Sequence, residues 1–139
     1  MNRSELQRLA RIRIAEADAL LQYSKPMPDG AYYLAGYAVE CGLKACIAKL
    51  TRKHDFPDKQ MALNCYTHNL DQLLRHAGLE LSLGSDSRRD PLLAAHWSIV
   101  TEWNETCRYE RHSLTKARQM VAAVVDGTHG VLPWIMARW

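Results

Sequence analysis

Six histidines and four cysteines are the residues of this chain with the most chemistry to offer, and their spacing limits what they can do. His54, His68, His76, His96, His112 and His129 include no HExxH run and no pair four residues apart, so no helix offers two imidazoles to one metal. Cys41, Cys46, Cys65 and Cys107 form no CxxC. Cys65-x2-His68 is the one ligand-like spacing, and a single pair is half a zinc site, so no metal is expected. Neither GxxxxGK[ST] nor GxGxxG is present, nor a GxSxG elbow, and no cofactor is expected. His96 falls on an apolar stripe, where a satisfied core histidine is the ordinary meaning. Glu40 and Lys44 stand at i, i+4 in the favourable order for an ion pair. A partly exposed pair is their ordinary meaning. A functional meaning requires Glu40 to be desolvated in a cleft.

The element that must position these groups runs from Asp29 to Thr51. Leu34, Tyr37, Ala38, Cys41, Ala45 and Ala48 recur at the spacing of one helix face, and Ala35, Val39, Gly42, Cys46 and Leu50 form a second stripe. Only Glu40, Lys44 and Lys49 leave a polar strip, so the helix must be covered on several sides. Gly36, Ala38, Gly42, Ala45 and Ala48 let other helices approach closely. This reads as the central helix of an all-α bundle.

The remaining elements follow from capping and periodicity. Ser4 and Gln7 fit a capping box, followed by a helix to about Tyr23 that buries Leu6, Ala10, Ile14, Ala17 and Leu21. Two prolines, Pro26 and Pro28, stop it, and Asp29 is placed to cap the central helix. A short helical turn is expected around Met61 and Leu63. Thr67 then caps a helix burying Leu70, Leu73, Leu74 and Ala77, and Gly78 ends it. Residues 83–89 read as loop. Asp90-Pro91 starts the next helix, with Leu92, His96, Ile99 and Trp103 as one stripe and Leu93, Trp97 and Val100 beside it. A break is placed within 107–113, where apolar periodicity is lost. Ser113 caps a fifth helix with Leu114, Ala117, Val121, Val124 and Val125 inward, and Gly127 stops it. The apolar tail GVLPWIMARW reads as a terminal helix docked on the bundle or on a second subunit.

The run Leu34, Ala35, Ala38, Glu40, Leu43, Lys44 and Ala45 resembles the second helix of the HEPN domain family (higher eukaryotes and prokaryotes nucleotide-binding). His68, Asn69, Leu70 and Leu73 are similar to the His-Asp/Asn-Leu opening of a later helix in that family. Trp103-x4-Arg108-Tyr109, then Ala117, then Gly130-Val131-x2-Trp134-Ile135 continue the likeness, which spans about Ala31 to Ile135. The resemblance implies a single domain over 1–139, an up-and-down all-α bundle of about five helices. It implies nucleotide or RNA binding, as half of a toxin–antitoxin pair with a minimal nucleotidyltransferase partner, and homodimer assembly. The alternatives are a metal-independent endoribonuclease and a structural interaction subunit.

Catalytic members of that family use an Arg-x4–6-His motif, in which arginine steadies phosphate and histidine transfers a proton. Arg108 and His112 lie where the resemblance places function, but only three residues separate them and Tyr109 follows the arginine. Arg89 and His96 have the family spacing, but Asp90-Pro91 puts Arg89 outside the helix start. Binding asks less of the geometry, since Arg108, Tyr109 and Arg111 can hold phosphate and stack a base without proton transfer.

Composition fits these readings. An apolar share of 47% is that of an ordinary globular domain, and a net charge of +3 permits nucleic-acid contact without demanding it. The amino terminus leads straight into a charged amphipathic segment, and no stretch reaches the roughly 20 apolar residues of a membrane span. A cytoplasmic protein with reduced thiols is expected.

Overall fold

The computed structural model of the chain describes residues 1–51 and 58–139, and these are all-helical. Eight α-helices follow one another: α1 (Arg3–Gln22), α2 (Pro28–Leu50), α3 (Lys59–Asn64), α4 (Leu70–His76), α5 (Glu80–Arg89), α6 (Pro91–Val100), α7 (Leu114–Val125) and α8 (Val131–Met136). A 3-10 turn, Glu105–Tyr109, lies between α6 and α7.

Helix α2 is the centre. It packs along α1 on one side and meets α4, α7, α8 and the 3-10 turn on the others. Ala35, Ala38, Val39, Leu43, Ala45 and Ile47 are buried, as expected of a helix apolar around most of its circumference. On the predicted stripes Leu34, Tyr37 and Ala48 are half-buried, and Leu50, at the end of the helix, is exposed. Gly36 is where the packing is tightest. The Trp103 indole lies flat against it, so a Cβ built there falls 2.2 Å from Trp103 Cγ. Trp103 Nε1 donates to the Tyr33 carbonyl at 3.1 Å, which satisfies the one polar atom of that buried ring.

Several boundaries differ from the sequence reading. The capping box of α1 is built by Asn2 and Glu5, not by Ser4 and Gln7; each side chain of the pair reaches the other's backbone N–H. Asp29 lies inside α2 and caps nothing, because its carboxylate crosses to the backbone N–H of His112. Asn69 caps α4, while Thr67 accepts from the Asn69 backbone two residues earlier. Helix α4 ends as read: Gly78 takes φ +71°, with Leu79 N–H on the Leu74 carbonyl and Gly78 N–H on that of Arg75. This is a Schellman closure that a side chain would strain.

Residues 83–89 are helix rather than loop, which raises the helix count above the expected five. Gly84, Ser85 and Ser87 are weak helix formers, but Leu83 is buried, and Asp86 accepts from Trp134 Nε1 at 2.8 Å and Arg138 Nη2 at 2.7 Å. Tertiary ties outweigh local propensity here. Helix α6 starts at Asp90-Pro91 as expected, with the Asp90 carboxylate accepting from Leu93 N–H. It stops at Val100, well before residue 107, because the chain turns to bring Trp103 onto α2. Its inward face is Leu93 and Val100, and Leu92 points to water. Ser113 caps α7, whose buried face includes Met120 and Ala123 while Val125 is exposed.

The C-terminal tail docks on its own bundle. Val131, Leu132 and Ile135 are buried, Arg3 donates to the Trp139 carbonyl, and Lys49 donates to that of Arg138. The apolar residues that suggested a second subunit are thus largely covered within one chain. No helix among the described residues is long and apolar enough to cross a membrane.

The contact at Gly36 gives a paired prediction. Gly36→Ala should destabilise the protein by about 1–3 kcal/mol through overpacking against a rigid ring. Gly84→Ala, where an added Cβ meets nothing within 4 Å, should stabilise it by about 0.5–1 kcal/mol through helix propensity. Urea midpoints of the two variants should move in opposite directions; a shared direction would contradict this packing.

Candidate functional site

Three polar clusters stand out among the described residues. The first surrounds the 3-10 turn, where sequence placed Arg108, Tyr109, Arg111 and His112. Asn104 caps the turn by accepting from Thr106 N–H at 2.9 Å. The chain then runs extended from Glu110 to Ser113. Residues 108–112 are therefore not one helix, and Arg108 and His112 do not share a helical face. Arg108 lies on the surface with its guanidinium 4.9 Å from the centre of the Tyr109 ring. Tyr109 and then Tyr33 hold the Arg108 pKa above its ordinary value. Tyr109 is 79% exposed, and Arg111 beside it is exposed too.

His112 behaves differently. Its residue is 7% exposed, its ring stacks on Tyr32 at 4.1 Å, and Nε2 donates to the Cys107 carbonyl at 3.2 Å. Tyr32 is neutral, since burial first and then nearby Cys107, Glu102 and Glu110 push its pKa up to about 12. Lys116 Nζ sits 5.1 Å from the Tyr32 ring centre. The structure thus separates the two roles: Arg108, Tyr109 and Arg111 face water, and His112 is bound into the turn's foundation. Cys107, Glu110 and His112 bring one sulfur, one carboxylate oxygen and one ring nitrogen within 4.8 Å of one another.

The second cluster is centred on Glu40. It is only 2% exposed, so the condition set by the sequence for a functional Glu40 is met as far as burial goes. Lys44 Nζ donates to it at 2.7 Å, and His68 Nδ1 lies 3.0 and 3.1 Å from its two oxygens. A buried carboxylate needs such partners to offset its desolvation. The His68 side chain is 46% exposed, so one edge of the ring is anchored and the other meets water. Sequence spacing paired His68 with Cys65. In the structure Cys65 Sγ instead donates to the Met61 carbonyl at 3.3 Å.

The third cluster joins α5, α6 and α8. His129 Nδ1 donates to Asp90 at 2.7 Å, and His96 Nδ1 donates to the His129 carbonyl at 2.8 Å. Asp126 accepts from the His129 and then the Thr128 N–H groups, which lower its pKa. A cavity of about 380 Å³ next to them is lined by Asp86, Arg89, Asp90, Trp134 and Arg138 among others. Arg89 is exposed at the rim, while the half-buried His96 is engaged with the loop before α8. The Arg138 guanidinium stacks 3.9 Å from the Trp134 ring centre, and both bind Asp86.

The remaining thiols are inert. Burial pushes Cys41 and Cys46 each up to about 11, and raises Cys65 as well. Sequence reasoning missed the Cys107–Glu110–His112 set because Cys-x2-Glu-x-His is not a recognised ligand spacing. The extended backbone after the 3-10 turn brings the three together. Comparison with protein-family models, with curated proteins and with solved structures returned no match.

The Asp90–His129 bond makes a pH prediction. It raises the His129 pKa and lowers that of Asp90. The pair therefore contributes stability above the ordinary aspartate value and loses it in two directions. The His129 contribution fades as pH rises through its elevated pKa, and the Asp90 contribution fades as pH falls through its depressed one. An NMR titration should place His129 above the ordinary histidine value of about 6.5. Asp90→Asn should return it toward that value; an unchanged titration would remove the bond.

Proposed function

We propose that this chain is a HEPN-like protein that binds single-stranded RNA or a nucleotide through Arg108, Tyr109 and Arg111. The observation that carries the reading is Tyr109, a large aromatic 79% exposed whose ring, among the described residues, is partnered only by Arg108. An open π-face beside cationic groups suits a base stacked on the ring and a phosphate held by guanidinium. Arg111 and Lys116 add positive charge close in sequence to the 3-10 turn, and Glu110 subtracts some.

Binding fits this geometry better than cleavage does. Proton transfer requires an imidazole that reaches the substrate, and the His112 ring is stacked on Tyr32 and committed to the Cys107 carbonyl. The resemblance and the exposed patch support the same reading from different directions.

The test is fluorescence anisotropy with a labelled single-stranded oligoribonucleotide at fixed salt. Tyr109→Ala should weaken binding by roughly 5- to 150-fold, the equivalent of about 1–3 kcal/mol of lost stacking. Arg111→Ala should weaken it and flatten the salt dependence. Cleavage of the RNA in EDTA, abolished by Arg108→Ala or His112→Ala, would replace the binding reading with the endoribonuclease one.

A further inference from the structure

We propose that Cys107, Glu110 and His112 form a zinc-binding site beneath the 3-10 turn. The site does not depend on the RNA-binding reading.

The three residues offer a soft sulfur, a borderline nitrogen and a hard oxygen, the donor types that zinc accepts together. Their ligand atoms already lie within 4.8 Å of one another. Two of the three side chains, Cys107 and His112, are buried and fixed, whereas Glu110 is exposed and free to close on an ion from the solvent side. That arrangement suits three protein ligands with the remaining coordination position open to water.

The histidine supplies the second observation. Its Nε2–H is held by the Cys107 backbone carbonyl, and no hydrogen bond among the described residues engages Nδ1. Metal-ligating histidines are oriented in this way, one ring nitrogen on a carbonyl and the other presenting its lone pair. The ring is further clamped by Tyr32, and the backbone N–H of His112 by Asp29, so its orientation is set before any ion arrives. Among the described residues, the Glu110 carboxylate holds one long contact, its Oε1 accepting from Thr106 Oγ1 at 3.3 Å, which an ion would readily displace.

Binding replaces the S–H bond of Cys107 with an S–Zn bond and releases that proton to solvent; no electron is transferred. Arg108 and Tyr109 stand between the first two ligands in the chain, so an ion here would also brace the turn that carries them.

Cobalt(II) is the probe, since it takes the same ligands and reports a thiolate by a charge-transfer band in the near ultraviolet. The chain, stripped with chelator and reduced, should bind one cobalt per monomer with that band, and zinc should displace it. Cys107→Ser should abolish the band. Cys65→Ser should leave it intact, which separates this site from the Cys65-x2-His68 spacing. Glu110→Gln, an exposed change that leaves the core untouched, should weaken cobalt binding at least as much as the roughly tenfold cost of losing an outer-shell partner. Circular dichroism checks that Cys107→Ser is folded; should it not be, the Glu110→Gln and Cys65→Ser arms decide. No thiolate band in the unaltered chain, a band that survives in Cys107→Ser, or undiminished affinity in Glu110→Gln would overturn the site.

Discussion

Helix α2 has so little contact with water that α1, α4, α7, α8 and the 3-10 turn are arranged to cover it. Tyr32, Val39, Leu43 and Ile47 are essentially inaccessible, and burying side chains of this size contributes roughly 1.5–3 kcal/mol each. The cover is possible only because small residues alternate with them. Ala35, Ala38 and Ala45 admit the neighbouring helices, and Gly36 admits the Trp103 ring at a distance no other residue allows. That one contact sets where α6 must end, and the 3-10 turn begins two residues after Trp103.

Against this apolar centre, the polar clusters mostly act as ties between helix ends. Glu40 fastens the start of α4 through His68. Asp86 fastens α5 to α8 through Trp134 and Arg138, and Asp90 fastens the start of α6 to the loop before α8 through His129. Asp29 fastens α2 to the segment before α7. Within the described residues, Tyr109 and Arg111 stand apart from these ties: they are exposed and hold no other element in place.

The sequence exposed the centre clearly and the periphery poorly, for a physical reason. A long helix with apolar residues on most of its circumference has one meaning, so the role of α2 and its stripes could be read directly. The same holds for Asp90-Pro91, Ser113 and Gly78, where one residue's chemistry fixes an end. Helix α5 could not be read, because Gly84, Ser85 and Ser87 argue for loop and only the distant Trp134 and Arg138 argue for helix. Glu40 looked like half of a surface ion pair, since its second partner, His68, lies 28 residues away. The sequence offered Arg108, Tyr109, Arg111 and His112 as one group; the first three are exposed, but the inward turn of His112 depends on Asp29 and Tyr32, far off in sequence.

The most direct test of the proposed site is an amide NMR map of the chain titrated with a short single-stranded oligoribonucleotide. Shift changes should concentrate in residues 104–116 and at Tyr33, and leave the Glu40 and Asp90 clusters still. Changes centred instead on the cavity between Asp86 and Arg138, or an unperturbed spectrum at saturating oligonucleotide, would contradict it.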